Sequence, residues 1–525
     1  MPGDACRHGE FPQASPEEQR RWRDIEVLLE GILGALSNFA TAELWLFMVA
    51  GAVIGLIFGI IPGIGATLAL TLILPFVFTM TAEQALPLMM AIGATTSGGG
   101  AIAAILFNVP GVPGSAATLI DGFPMTQKGE SGRALGAAMV SCGAGSIVSA
   151  LVALAMIPLV LPTIMALRNG DMVFLILLGI TFIAVLGEGT MLKGLISGGL
   201  GLLISFIGWQ AVTSVQRFTF GSLYLYDGIP LVPLAVGLFA VPEMIALATR
   251  GGTLAHTGAL FKGVGDVWLG MKDVVHHWAL VIRSSVIGFI CGVIPGVGSS
   301  IACFIAYGQA KQTSKHPERF GTGTVEGVIA PESANDAKEA GALLTTLALG
   351  IPGSAVMALV LGAFLLLGLA PGPSMMTKHL DLSLTLILVI IVASIIGEMF
   401  IALPLAPLLS RIAFIPGRVL APLVLIVAFV GAFVYQQQFE DVIVTLIFGA
   451  LGLLMRRYGY NRPGLFLGYI LGSLLEKYLF IALGLAGPLF FLRPISLSLI
   501  LIIFASIGFG PFKNWQKRRG GVDKV

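Results

Sequence analysis

The chain has 525 residues, 56% of them hydrophobic and 11% charged, with a formal net charge of +2 and a mean hydropathy of +0.94. Soluble domains carry roughly 25% charged residues, so the composition excludes an ordinary soluble enzyme and reads as an all-α polytopic membrane protein in a lipid bilayer. The small net charge identifies no partner, and no nucleic acid is expected among them.

Residues 1–41 form a polar leader. The first 24 are mixed in charge and lack an apolar core, which is unlike a cleavable signal peptide. The stretch from Ile25 to Leu36 could be a short interfacial helix or an irregular lead-in. Apolar runs of the roughly 20 residues needed to cross a bilayer then fall near 42–61, 85–107, 135–167, 172–188, 191–209, 229–247, 279–294, 341–372, 381–403, 419–434, 441–455, 464–486 and 488–510. That predicts about 12 transmembrane helices, less certain in number wherever Gly or Pro interrupts a run. The 68 glycines are accounted for mainly by close packing of membrane helices.

The first run ends in a sentence that the chain repeats. Ile54 to Leu70 reads IGLIFGIIPGIGATLAL and Ile287 to Cys303 reads IGFICGVIPGVGSSIAC, with a shift of 295 − 62 = 233 positions between the prolines. Both copies carry Pro-Gly-x-Gly, at Pro62, Gly63 and Gly65 and at Pro295, Gly296 and Gly298. Each break removes a helical donor and frees the backbone at two positions. A bilayer tolerates such a break only where protein or an aqueous cavity receives it. Paired breaks in two repeats point to a secondary transporter's binding site.

A second break follows in each copy. The first copy has Ser97-Gly98-Gly99-Gly100 and then Asn108-Val109-Pro110-Gly111, and the second has Pro352-Gly353-Ser354. Here the shift is 352 − 110 = 242. No Lys or Arg occurs beside these breaks, so an anionic substrate would be held by backbone N–H groups at helix starts, helped by Asn and Ser side chains. The division is therefore residues 42–248 as repeat 1, 249–278 as connector, 279–434 as repeat 2, and 435–525 as C-terminal helices with a basic tail. The repeats are expected to be inverted, although parallel repeats would leave the same sequence trace.

The connector holds His256, His276 and His277, which have no carboxylate at ligand spacing and read as loop residues. Polar residues return at 311–339, with Glu326, Glu332, Asn335, Asp336 and Glu339. Two readings stand side by side: a solvated loop with capped helix starts, or hard oxygen groups at the rim of a cation or substrate cavity, with Glu326, Glu332, Asn335 and Asp336 in ion coupling or gating. Cys6, Cys142, Cys291 and Cys303 read as packing residues. Basic clusters at Arg411 and Arg418, at Arg456, Arg457 and Arg462, and in the tail (Lys513, Lys517, Arg518, Arg519, Lys524) place the C-terminus in the cytoplasm by the positive-inside rule.

These motifs, in order, resemble the large membrane subunit of the tripartite tricarboxylate transporters. The matching segments are GIIPGIGATLALTLILPF (59–76), SGGGAIAAILFNVPGVPGSAATLIDGFPM (97–125), KGESGRALG (128–136), RFTFG (217–221), GVIPGVGSSIACFIAYGQAK (292–311), and FGTGTVEGVIAPESAND followed by LALGIPGS. The resemblance implies a multi-pass bacterial inner-membrane subunit without enzymatic activity. It would import citrate or another di- or tricarboxylate on an ion gradient, usually Na⁺, by alternating access of an elevator kind. Its partners would be a small four-helix membrane subunit and a periplasmic solute-binding protein. No cofactor is implied, and no metal beyond a transported Na⁺. Thr345-Thr346 stands where members often carry a proline before the last break.

Three other classes share part of this pattern. An ATP-driven pump lacks its phosphate loop, since no Lys is followed by Ser or Thr. An intramembrane aspartyl protease would use Asp227 and Asp266, which imitate its tyrosine-aspartate and G-x-G-D signatures, but Asp266 lies in the polar connector. An anion channel could also use broken helices.

Overall fold

The computed structural model describes residues 29–186, 190–210, 212–249, 266–412 and 414–520. Residues 1–28 of the leader, with Cys6, residues 250–265 of the connector, with His256, and the last five residues lie outside these, and of the basic tail only the backbone is described.

The described chain is helical almost throughout. Helix α1 covers 29–39, followed by α2 (Ala42–Ile60), α3 (Gly65–Val77), α4 (Ala82–Phe107), α5 (Ser115–Gln127) and α6 (Ser131–Ala166). Next come α7 (Asn169–Leu186), α8 (Met191–Ser205) and a two-residue antiparallel ladder of β1 (Gly208–Trp209) with β2 (Gln216–Arg217). Helices α9 (Leu231–Ala235) and α10 (Val241–Thr249) join through a π-helical turn at Val236–Ala240. The second half repeats the pattern with α11 (Val267–His276), α12 (Trp278–Val293), α13 (Gly298–Thr313), α14 (Glu326–Leu349) and α15 (Ala355–Leu366). Then come α16 (Pro373–Thr377) and α17 (Leu380–Ser394), the latter running through a π-helical stretch, Ile395–Ala402, into α18 (Leu403–Ile412). Helices α19 (Gly417–Gln436), α20 (Phe439–Tyr458), α21 (Arg462–Ala486) and α22 (Pro494–Gly520) complete the described chain.

Seven described helices are long and apolar enough to cross a membrane, and the pair α11 and α12, bent by 79°, makes an eighth if counted as one span. This differs from the twelve or so apolar runs for two reasons. Helices such as α8 and α15, with 15 and 12 residues, are too short to cross alone. Helix α14 has 24 residues but carries Glu326, Glu332, Asp336, Lys338 and Glu339, which lower its hydropathy. Residues 266–276 of the connector are also helical in the main: they make α11, which lies against the start of α6 through Arg133 and Asp273, 2.6 Å apart.

The helices sort into two bodies. Helices α1–α6 and α11–α18 form a core in which α4 and α14 are buried along almost their whole length. Helices α7–α10 and α19–α22 form an outer body that packs mainly on itself. Lipid tails are as apolar as the side chains they would leave, so membrane helices associate through close packing and polar contacts rather than the hydrophobic effect. The core shows this directly. Gly51, Gly55 and Gly59, one turn apart on α2, lie against the carbonyls of Leu88, Ile92 and Thr96 on α4, where any Cβ would strike the backbone.

The second half repeats these contacts. Gly288 and Gly292 of α12 lie against the carbonyls of Ala334 and Lys338 on α14. The shifts are those of the two sequence breaks: 288 − 55 = 233 on the first helix and 334 − 92 = 242 on the second. Return contacts agree, with Gly99 on the Leu56 carbonyl and Gly341 on that of Phe289. Replacing Gly59 or Gly292 by Ala should therefore cost about 1–3 kcal/mol of overpacking and lower the melting temperature in detergent. Gly199→Ala, where a Cβ meets open space, should leave it unchanged. Equal melting temperatures for all three variants and the parent would show that these glycines do not set the helix spacing.

Candidate functional site

The four breaks meet in pairs. Gly63 adopts φ +81° and Gly296 φ +85°, a region that an L side chain disfavours. The Gly63 amide donates to the Gly111 carbonyl at 3.4 Å, and the Gly296 amide donates to that of Gly353 at 3.3 Å. Each Pro-Gly-x-Gly tip is thus received by the Pro-Gly element of its own half, at Pro110 and Pro352. The same pairing sets two helix starts side by side in each half: α3 and α5, then α13 and α15. Helix starts carry exposed donors and the positive end of the helix dipole, and so suit anions. In this conformation the Gly63 and Gly296 amides are themselves occupied, as are those of Ile64, Val297 and, at the start of α5, Ser115, Ala116 and Ala117, which leaves first-turn amides of α3 and α13 as donors.

The side chains proposed for substrate contact divide. Asn108 is exposed and caps α4 in a left-handed conformation at φ +57°. Ser354 caps α15, accepting from the Met357 amide at 3.2 Å. Ser97, Gly98 and Gly99 do not lie at a break. They sit inside the continuous helix α4, fully packed, because Gly98 and Gly99 make room for Glu398 and for α2.

The polar stretch 326–339 is helix α14 rather than a solvated loop, which corrects that reading. Glu332 and Asp336 are fully buried and Asn335 is 2% exposed. Glu332 accepts from the Thr118 hydroxyl of α5 and lies 3.3 Å from the Cys142 thiol of α6. Asp336 contacts Ser97 through Oδ1, while its Oδ2 lies 2.9 Å from both Ser146 of α6 and Ser394 of α17. Glu398, fully buried on the π-helical stretch, stands 3.4 Å from the Ser97 hydroxyl. Cys142, Asp336 and Glu398 each bring one possible ligand atom within 4.8 Å of the others. Cys142 therefore faces carboxylates rather than apolar neighbours, unlike the packing role read for it. Glu326 stays at the start of α14, 3.7 Å from His277.

Two features of this region escaped the sequence. Asp121 of α5 is fully buried; its Oδ1 accepts from the amides of Gly321, Gly323 and Thr324 at 2.8–3.0 Å, and its Oδ2 from the Tyr307 hydroxyl at 2.9 Å. Gly321 and Gly323, at φ +87° and +95°, supply the concave backbone that a carboxylate fills. Glu398 was hidden in an apolar run. Its only sequence signal was a charge inside the run 381–403, away from Asp381 at its edge, a default functional flag in a membrane helix.

The protease pair does not assemble. Asp227 is exposed in the loop before α9, and Asp266 is exposed at the start of α11, so neither occupies the apolar span that proton sharing needs.

Comparison with known proteins fits this architecture. Residues 45–467 match the tripartite tricarboxylate transporter TctA family. An uncharacterized 52.8 kDa protein in the TAR-I ttuC' 3' region of Agrobacterium vitis is 36% identical over 462 residues, covering 86% of this chain and 89% of the relative. A second uncharacterized protein, in the TAR-II ttuC' 3' region of the same organism, is 37% identical over 219 residues, covering 41% of this chain and 89% of the relative. No solved structure matches. With the family matched over most of its length and the duplicated breaks paired in space, the chain belongs to the tripartite tricarboxylate transporter TctA family.

Proposed function

We propose that this chain is the permease subunit for uptake of a di- or tricarboxylate such as citrate across a bacterial inner membrane. It is driven by an inward cation gradient, with Na⁺ as the first candidate, and its C-terminus is cytoplasmic. A soluble periplasmic protein delivers the substrate, and a small membrane subunit completes the assembly. The observation that carries this reading is the pairing of helix starts at the breaks of each half, which offers backbone donors to a carboxylate where basic residues are lacking.

The halves are read as inverted repeats. Gly114 lies against Asn335, and the equivalent positions, Gly93 and Val356, lie against each other with the partners exchanged (335 − 93 = 242, 356 − 114 = 242). Such reciprocity is the signature of a two-fold relation. Along α5, Gly114, Thr118 and Asp121 meet Asn335, Glu332 and Gly327 in turn, so α5 and α14 run in opposite directions. Along α4, Gly100 and Ile105 meet Ser115 and Gly122, so α5 keeps the direction of α4. Helices α4 and α14, which occupy the same place in the two halves, are then antiparallel.

An elevator motion is supported by the boundary between the bodies. Among the described residues, no side-chain hydrogen bond or ion pair crosses it. The contacts there are apolar or aromatic: Gly431 on Pro75, Gly362 on Leu231, Ile351 on Gly179, and Phe78 edge-on to Tyr435 at 5.5 Å. The outer body is braced internally by Arg217 with Glu476, by Glu243 with Arg456 and Arg462, and by Asp171 with Arg493. A surface without directional bonds can slide with little loss of enthalpy, whereas a bonded one cannot.

Three measurements test these readings. Gly63→Val and Gly296→Val should each reduce uptake into liposomes carrying all three components by at least about tenfold, because a β-branched residue disfavours the φ of the tip, while membrane content stays normal. Single cysteines at Ala66 and Ser299, in a cysteine-free background, should react with an impermeant thiol reagent from opposite sides, and substrate with its ion should alter both rates. Labelling of both from one side would make the repeats parallel. Cysteines replacing Phe78 and Tyr435, joined by a bifunctional reagent, should stop uptake until the link is cleaved. Unimpaired uptake in the linked protein would exclude sliding at that boundary.

A further inference from the structure

The core contains three carboxylates, Glu332, Asp336 and Glu398, each with 0% of its surface exposed. Among the described residues, none has a Lys, Arg or His partner. Burying a carboxylate costs several kcal/mol even after relaxation of its surroundings, so three unpaired charges in one cluster need positive charge from elsewhere. We propose that Asp336 and Glu398 form the seat of a monovalent cation, Na⁺ or a proton, whose occupancy is tied to the carboxylate-binding breaks. The inference rests on the transport reading and specifies its coupling site.

The atoms present fit such an occupant. Ser97 Oγ lies between Asp336 Oδ1 and Glu398 Oε1, and the hydroxyls of Ser146 and Ser394 close on Asp336 Oδ2 at 2.9 Å. These are hard oxygens, which suit an alkali cation or a proton and not a soft transition metal. The Cys142 thiol, which also approaches the cluster, is turned to Glu332 Oε2 at 3.3 Å. The titratable groups facing Glu398 are thus Asp336, Glu332 and Cys142.

An independent observation singles out Glu398. Its Oε2 is buried and has no hydrogen-bond partner, unlike both oxygens of Glu332 and Asp336, so one lone-pair site in the cluster is free for an occupant. Helix α4 is opened for this carboxyl: a Cβ on Gly98 would fall 2.8 Å from Glu398 Cγ and Oε1. The carboxyl is carried on a π-helical stretch, a local widening often found at functional sites.

The position explains coupling. Ser97 and Ser146 belong to the first half, Asp336, Ser394 and Glu398 to the second, so the occupant neutralises charge at the junction of both. Asn335, the neighbour of Asp336, touches Gly114 at the second break of the first half, and its Nδ2 has no partner. A shift of α14 on filling the cation site therefore reaches the break directly.

The test uses the purified full chain and reads binding without transport. Na⁺, against choline at matched ionic strength, should raise the melting temperature of the parent, and Glu398→Gln and Asp336→Asn should each shift the half-maximal concentration upward by at least about tenfold. If the occupant is a proton, Na⁺ has no effect, and the melting temperature instead responds to pH in the parent and not in Glu398→Gln. Should a variant not fold, protection of Glu398 itself in the parent, read by mass spectrometry after carbodiimide labelling, must depend on Na⁺ or pH. Cation responses unchanged in folded variants, or labelling of Glu398 indifferent to both cations, overturn the proposal. Uptake that continues in the variants with unaltered ion dependence removes the site but leaves the transporter. Absence of carboxylate uptake by the parent assembly under every gradient removes the transport reading, whatever the cation does.

Discussion

The constraint on which this molecule depends is that a bilayer supplies no water to groups the chain leaves unpaired. A break in an apolar helix frees backbone N–H and C=O groups, and each must find a partner within the protein. Here each break finds another break. Gly63 donates to Gly111 and Gly296 to Gly353. The pairing requires two breaks per half, which is why the Pro-Gly-x-Gly and Pro-Gly elements come as a set. It also requires that the helices leading to the breaks lie close enough for backbone to touch backbone, and the glycines of α2 and α12 allow that approach.

Duplication then set two such units against each other, and divergence gave them different side chains at equivalent positions. The positions of repeat 1 equivalent to Glu332, Asn335, Asp336 and Glu339, each 242 residues earlier, are Met90, Gly93, Ala94 and Ser97. At these four positions the acidic groups stand on α14 and not on α4, while the first half answers them with the hydroxyls of Ser97 and Thr118. A matching pair of acidic helices would have set like charges against one another in the buried core. With charge on one side and small or hydroxyl residues on the other, α4 and α14 can both stay buried at the centre.

The helical membrane character was legible because membrane helices announce themselves by composition, and the repeat by its ungapped match around the first break. The start of α14 was not. The sequence reading begins a span at 341, whereas the helix begins at Glu326. Hydropathy assumes that a membrane helix faces lipid, and α14 faces only protein, so its charges misdirect the inference. The reverse error affected Gly98 to Gly100, which look like a break in sequence yet are ordinary helix, because their missing side chains admit α2, α5 and Glu398. Glycine in a membrane chain signals either a bend or a close approach, and only the position of a partner distinguishes the two. The pairing of Ser97 with Asp336, 239 residues apart, and the capture of the 321–324 backbone by Asp121 follow from that three-dimensional closeness and leave no local trace.

The distribution of polar contacts separates what is fixed from what is free. The outer body holds itself with ion pairs near the helix ends, where Arg456 and Arg462 meet Glu243 and Lys193 reaches the Tyr458 carbonyl. Its partly exposed pairs contribute little stability each, but they fix the mutual orientation of α8, α10, α20 and α21. The core is joined across its two halves by buried hydroxyl and carboxylate contacts, which lose more when a partner is removed because nothing replaces it in a dry interior. Among the described residues, the surfaces that meet between the two bodies are apolar and aromatic, and no side-chain hydrogen bond or ion pair crosses between them. Directional bonds thus hold each body together from within, while the boundary between the bodies rests, among the described residues, on packing.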